Sequence, residues 1–325
     1  MIDKTDKILV TGGHGFLGKV VVRQLKAAGY TNLIVPTHDE CAFPEAVDFL
    51  ESAEVDMLFA EHDFDGVIHL AAVCGGIGAN QANPASMFLD NLRMGTNLLA
   101  TASSYIAPFV PPRFLMVGTV CSYPAEPPNI PFRPEDIWDG YPEPTNAPYG
   151  IAKRTLCEGV RILTTAGKLD GVVVYPTNLY GPGDEFDPAA SHVIPALIGK
   201  METARKHGDA LVTLWGTGRA TRDFLYVEDA AAGIVAAFEK APNADPINLG
   251  SGVGISIRDL AHLVADHVGY RGAIRFDHEH PDGQRRRVLD VRRAQKLLDW
   301  ESTTSLVAGL ERTIAWWREQ SNGRA

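Results

Sequence analysis

The chain predicts an α/β protein built on a doubly wound parallel sheet, and three observations carry that prediction. Apolar, strand-like runs alternate with segments of helical periodicity as far as Tyr175. The first run ends in Thr11-Gly12-Gly13-His14-Gly15-Phe16-Leu17-Gly18, a glycine-rich turn that opens a helix. After about Pro182 the rhythm loosens into long loops, short strands and helices. The pattern is Rossmann-type, with a smaller C-terminal substrate-binding domain capping the carboxyl ends of the sheet.

Taken in order, residues 7–11 read as a buried strand and 15–28 as a helix. Residues 32–35 form a second short strand, 52–62 a helix and 66–72 a third strand. Helix 86–104, strand 113–117, helix 149–165 and strand 171–175 continue the alternation. Residues 1–182 are expected to bind the dinucleotide, with the chain crossing back near 220–240; residues 183–325 mainly bind substrate. The polar stretch 217–223 lies between apolar runs. A last helix, about 305–318, aligns Leu306, Leu310, Ile314 and Trp317 on one stripe, which reads as core packing.

Composition narrows the class. A length of 325 residues allows one large or two modest domains. The formal charge of −10 argues against nucleic acid or an anionic membrane as partner, while leaving room for a local basic pocket. No apolar run is long enough to span a bilayer, and residues 1–6 show no signal-peptide core. Cys41, Cys74, Cys121 and Cys157 lack metal-ligand spacing, so a reduced, cytoplasmic setting is expected. His278 and His280, two apart with no third ligand, do not make a metal site.

The turn after the first strand is the cofactor end. Gly13, Gly15 and Gly18 match the dinucleotide fingerprint, and Gly12, Gly15 and Gly18 match a neighbouring spacing. Glycines allow the tight turn and the approach of backbone to a pyrophosphate, and a helix N-terminus supplies donors. Leu70, Ala71 and Ala72, ending the third strand, are assigned to the same site. The second strand is followed by Pro36-Thr37-His38-Asp39, which is neither the acidic NAD pattern nor the arginine NADP pattern. Asp48 either flanks the adenine or caps the next helix. Residues 91–97 read as a helix that lies along the cofactor or merely packs.

The chemistry end is marked by Tyr149 and Lys153, four apart on one helix face. An ammonium beside a phenol favours the phenolate, and such a pair exchanges a proton with a carbonyl or alcohol oxygen while a nicotinamide moves hydride. Thr119 ends the preceding strand and supplies a hydroxyl. Cys121 and His192 add a second acid/base pair, the thiolate being favoured by a nearby protonated histidine.

These segments together resemble the extended short-chain dehydrogenase/reductase superfamily, and within it the GDP-L-fucose synthase branch, epimerase/reductases of GDP-4-keto-6-deoxymannose. The marks are Gly75-Gly76-Ile77 followed by Asn80, Gly118 to Pro124, Glu143 to Tyr149, Pro176 to Pro182, Ser191 to Ala196, and Pro281-Asp282-Gly283. The resemblance implies that Tyr149 protonates the C4 oxygen, Lys153 holds the nicotinamide ribose, Cys121 is the epimerisation base and His192 its acid. Thr119 stands where the branch usually has Ser. The resemblance also implies that Pro176, Asn178, Leu179 and His192 border the cofactor, while Asn178, Lys200, Trp215, Arg222 and His280 meet a GDP-linked nucleotide sugar. A homodimer through helices 86–104 and 149–165 is implied as well. Three departures stand out. The branch's cofactor-phosphate arginines are replaced by His14, Pro36 and His38; residues near 41–47 look inserted; and Lys200 and His280 replace Arg and Lys. The resemblance implies NADP as the cofactor, and the loss of those arginines keeps NAD as the alternative. The alternatives in function are a 4-reductase alone, an NAD-recycling epimerase/dehydratase of another nucleotide sugar, and a non-catalytic dinucleotide sensor.

Overall fold

A computed structural model describes residues 2–37, 46–104, 111–187, 191–280 and 282–322. The first half runs β1 (Ile8–Thr11), α1 (Phe16–Ala27), β2 (Leu33–Ile34), α2 (Ser52–Glu61), β3 (Gly66–His69), α3 (Ile77–Ala82), α4 (Pro84–Ser104), β4 (Arg113–Val117), α5 (Ala147–Thr165) and β5 (Asp170–Pro176). The second half runs β6 (Asn178–Tyr180), α6 (Val193–His207), β7 (Leu211–Trp215), β8 (Thr221–Tyr226), α7 (Val227–Lys240), β9 (Ile247–Leu249), β10 (Gly254–Ser256), α8 (Ile257–Val268), β11 (Ala273–Asp277), β12 (Arg286–Arg287), α9 (Arg292–Leu298) and α10 (Leu306–Asn322).

Six strands make one parallel sheet in the order β2-β1-β3-β4-β5-β9. Both faces are covered, and the strands read as continuous apolar runs for that reason. The alternation along each strand splits them between two cores. Ile8, Val10, Ile68, Leu115, Val172 and Val174 face α1 and α7 with Leu25, Ile234 and Phe238. Leu9, Val67, Phe114, Met116 and Val173 face the other side with Phe59, Leu98 and Leu156. Each such aliphatic or aromatic side chain contributes roughly 1.5–3 kcal/mol on leaving water.

The remaining strands build a second layer. β8 pairs with β6 and β12 in parallel and with β10 antiparallel, and β7 pairs with β11 in parallel. Leu197, Ile198, Phe224, Leu260, Val264, Leu310 and Ile314 form its core, with Leu306 and Trp317 packed against it. The stripe on the last helix is core, as its spacing indicates.

Several element bounds differ from the sequence reading, three of them near the site. β3 stops at His69, and residues 70–72 continue as an unpaired segment beside the first glycine turn. α3 occupies 77–82, a stretch to which the sequence reading assigns no element. α4 begins at Pro84, two residues early, since proline's fixed φ and missing N–H suit a first helical position.

Candidate active site

The chain reverses its winding between β1 and β3, and the carboxyl ends of those strands open a crevice. Thr11 at the end of β1 closes the base of that crevice. Its Oγ1 lies 2.8 Å from His69 Nδ1 and accepts the Ala71 N–H at 3.2 Å. Burial holds His69 well below the ordinary histidine range, so this contact is made by a neutral ring. Gly12 takes φ +66°, and a Cβ there would sit 2.6 Å from the Ala71 nitrogen. No other residue allows that turn and that approach at once.

From the crevice a cavity of about 1610 Å³ runs to the second layer. It exceeds the roughly 300–1,000 Å³ of a site for one drug-sized ligand. At one end lie Gly12, His14, Gly15, Phe16, Leu17 and Gly18, with Pro36, Thr37 and Asp48 opposite. The N-terminus of α1 carries no side-chain cap, and a Cβ at Gly15 would meet only the Gly12 carbonyl. The first-turn N–H groups are therefore free for a phosphate, and the lining fits a dinucleotide. Leu70, Ala71, Ala72, Pro176, Asn178 and Leu179 continue the wall.

The adenosine end shows what the polar residues do locally. Asp48 caps the turn before α2 by accepting the Leu50 N–H at 2.9 Å, and it still faces the cavity. His14 Nε2 lies 3.1 Å from the Val35 carbonyl. His38 falls outside the described residues. No arginine lines this end among the described residues. Residues 91–97 both pin loops and reach the cavity: Asn91 exchanges hydrogen bonds with the Val73 backbone, Asn97 donates to the carbonyls of Phe49 and Leu50, and Met94 lines the wall.

Midway, Thr119, Cys121, Tyr149, Lys153 and His192 all line the cavity. A turn and a helix place the first four. Residues 120–122 form a short 3-10 turn whose first cap is Thr119, its Oγ1 accepting the Cys121 N–H at 3.2 Å. That turn lies on α5: the Ser122 hydroxyl donates to the Gly150 carbonyl at 2.9 Å, and Arg154 donates to the Ser122 carbonyl. A Cβ at Gly150 would meet the Cys121 carbonyl at 2.2 Å. Only glycine beside Tyr149 lets the two segments touch.

The electrostatics depart from the sequence reading in two ways. Lys153 does not bring the Tyr149 phenol down. Desolvation pushes Tyr149 well above its ordinary range, with the thiols of Cys74, Cys121 and Cys157 adding to it. Desolvation likewise lowers Lys153, which is 2% exposed. Loss of water is the largest influence at both groups. The second departure concerns Cys121. Desolvation by the cavity walls lowers His192 from its ordinary range, which disfavours the expected cation. The cation at the sulfur is Arg287, whose Nη1 donates to Sγ at 3.4 Å.

At the far end, Lys200, Trp215, Arg222 and His280 line the same cavity. Trp215 and His280 stack, with ring centroids 4.4 Å apart and planes 14° apart. Parallel pairing of β12 with β8 sets Arg287 opposite Arg222. Burial and the Arg287 charge bring Arg222 down to about 9. Neither guanidinium forms an ion pair among the described residues, so two buried cations face the cavity without a bound anion of the chain. Pro281 falls outside the described residues.

Arg287, Gln284 and Asn80 were not singled out as site residues by sequence. The run Arg285-Arg286-Arg287 gives no sign of which guanidinium points inward; strand pairing settles it, with Arg286 exposed and Arg287 5% exposed.

The sequence model of the NAD dependent epimerase/dehydratase family matches residues 8–250, from β1 to just past β9. The chain belongs to that family. Within the NAD dependent epimerase/dehydratase family it is 36% identical to GDP-L-fucose synthase 1 of Arabidopsis thaliana, over 98% of this chain and 94% of the relative. It is 35% identical to GDP-L-fucose synthase of Escherichia coli (strain K12), over 97% and 98%. A crystal structure of a GDP-L-fucose synthetase from Naegleria fowleri bound to NADP superposes with a TM-score of 0.84 at 26% identity, covering 99% of this chain and 97% of that one. The resemblance drawn from the motifs holds across nearly the whole chain.

Proposed function

We propose that this chain is an NADPH-dependent epimerase/reductase of a GDP-linked 4-keto-6-deoxy sugar, as a GDP-L-fucose synthase is. The carrying observation is that a Tyr/Lys pair and a Cys/His pair line one cavity, between an uncapped helix N-terminus and two buried arginines. A bound nicotinamide supplies the hydride that reduces C4. Tyr149 gives its O–H proton to the C4 oxygen, and its raised pKa keeps it in the neutral form a donor needs. Thr119 accepts from the Cys121 N–H, which leaves its own O–H to donate to the same oxygen. Lys153 holds the nicotinamide ribose.

Inversion precedes reduction and is redox-neutral. The Cys121 sulfur takes the proton at C3 or C5, and the carbon's electron pair moves onto the C4 oxygen as an enolate. His192 returns a proton to the opposite face of the same carbon. The anionic substrate favours the protonated imidazole that desolvation disfavours. Solvent exchange then resets both groups. Arg222 and Arg287 suit a diphosphate, with Lys200, Trp215, His280 and Asn178 along the nucleotide.

Residues 183–325 are taken as mainly substrate-binding, with α7 and β9 returned to the first sheet. Leu89 on α4 and Ile162 on α5 are 52% and 60% exposed, which supports a homodimer through those helices. No described helix is long and apolar enough to cross a membrane, and the free thiols of Cys74, Cys121 and Cys157 suit a reducing cytoplasm. The test is a panel of GDP-, UDP- and dTDP-4-keto sugars with NADPH and NADH, products read by NMR. Stoichiometric NADPH consumption with the GDP sugar is expected. Turnover without net NADPH consumption would make the chain a cofactor-recycling epimerase, and no turnover on the panel would favour a sensor.

A further inference from the structure

We propose that Arg287 is a positioning residue for Cys121, holding its sulfur in place and stabilising it as an anion, with Gln284 as the brace. The proposal rests on the reading of Cys121 as the epimerisation base. Three contacts fix the geometry. Arg287 Nη1 donates to Cys121 Sγ at 3.4 Å, and Arg287 Nε donates to Gln284 Oε1 at 3.0 Å. Gln284 Nε2 donates to the carbonyls of Pro124 and Ala125, both at 2.8 Å. The segment 284–287 is thus stitched to the chain just after Cys121, although Arg287 lies 166 residues away. Arg287 and Gln284 are 5% and 6% exposed, so water does not compete freely for these bonds.

The surroundings make Arg287 the group that matters to the sulfur. Tyr149 from α5 and Cys74 from the segment after β3 face Cys121 as neutral groups. Arg222 from β8 brings charge, but its guanidinium donates to the carbonyls of Thr221, Asp282 and Gln284. Glu143, before α5, is near the arginines, yet it is occupied by Thr145 and Asn146. Desolvation lowers His192 and so disfavours its cationic form. A guanidinium stays charged across the working pH range, and a charge-assisted bond to sulfur favours the thiolate.

The rival role for Arg287 is a diphosphate ligand only, and the two separate in the free protein. Iodoacetamide labelling of Cys121 without substrate, mapped by peptide mass spectrometry at pH 7, reads thiolate availability. Deuterium wash-in at C3 and C5 of the keto sugar reads base action. Arg287→Gln is expected to slow both by about tenfold, with Arg287→Lys restoring most of each. Gln284→Met keeps the cation and loosens the brace, and is expected to slow both by about threefold. Unchanged labelling in Arg287→Gln and Gln284→Met, with a raised KM in the first, would overturn the proposal in favour of the diphosphate ligand. If Arg287→Gln fails to fold, Gln284→Met decides alone. Cys121→Ser guards the underlying reading: wash-in that persists there removes Cys121 as base, whatever Arg287 does.

Discussion

The two acid/base pairs in the cavity are built in opposite ways. Tyr149 and Lys153 stand one helical turn apart on α5, so their spacing alone brings them together. Cys121, His192 and Arg287 come from a turn after β4, the start of α6 and the short strand β12. Their meeting depends on how two sheets sit against each other. The local pair is rigid wherever the helix forms. The distant set is assembled only when β12 pairs with β8 and Gln284 reaches Pro124. Perturbing one half should therefore leave the other measurable.

The largest effect tests that independence. Tyr149→Phe should lower reduction by about a hundred- to ten-thousand-fold while deuterium wash-in at C3 and C5 persists. Stopped-flow NADPH oxidation and NMR exchange on one preparation check it, and a parallel fall in exchange would mean the halves are not separable.

Gly150→Val should do the opposite and strike both halves. Its Cβ would lie 2.2 Å from the Cys121 carbonyl, so the 119–122 turn must leave α5. Loss of about tenfold or more in both activities is expected, with about 1–3 kcal/mol of stability in urea unfolding. A variant that loses reduction alone would show that the turn tolerates the shift.

Asp184, in the loop after β6, concerns the scaffold beneath both halves. One of its oxygens is buried without a hydrogen-bond partner among the described residues, and burial pushes the carboxyl up to about 7. The folded chain binds this proton more tightly than the unfolded one. The associated stability is complete below the ordinary carboxyl value and is lost as pH rises through about 7. Asp184→Asn should then gain about 1–3 kcal/mol at pH 8 and little at pH 4, with the ratio of exchange to reduction unchanged. Thermal melts at the two pH values read this directly, and equal gains at both would remove the carboxyl from the argument.

The smallest effect belongs to the cofactor end. His14→Ala should narrow the preference for NADPH over NADH by roughly threefold, because no described arginine is there to hold a 2′-phosphate. Fluorescence titration with both cofactors checks it; an unchanged ratio assigns the discrimination elsewhere.

Legibility in the sequence follows the same division. The parallel sheet, the glycine turn and the Tyr149/Lys153 pair rest on short-range spacing, and the structure places them as the spacing requires. The end of β3 did not show, because Leu70, Ala71 and Ala72 are apolar yet line a cavity instead of a sheet. α3 did not show because a helix that short carries too little periodicity to read. The sign of the Tyr149 shift was misjudged because residue types give the neighbouring charge but not the loss of water. Arg287 was invisible for the reason that makes it effective: it reaches Cys121 only through strand pairing.

The central claim is that one cavity both inverts and reduces. The most direct measurement is to run the unmodified protein with GDP-4-keto-6-deoxymannose in deuterated water and follow C3 and C5 by NMR before and after adding NADPH. The account predicts solvent deuterium at both carbons before any NADPH is consumed, and a reduced product that retains it. A reduced product with no deuterium at C3 or C5 would contradict it, leaving Cys121 and His192 as packing or binding residues and the chain as a 4-reductase.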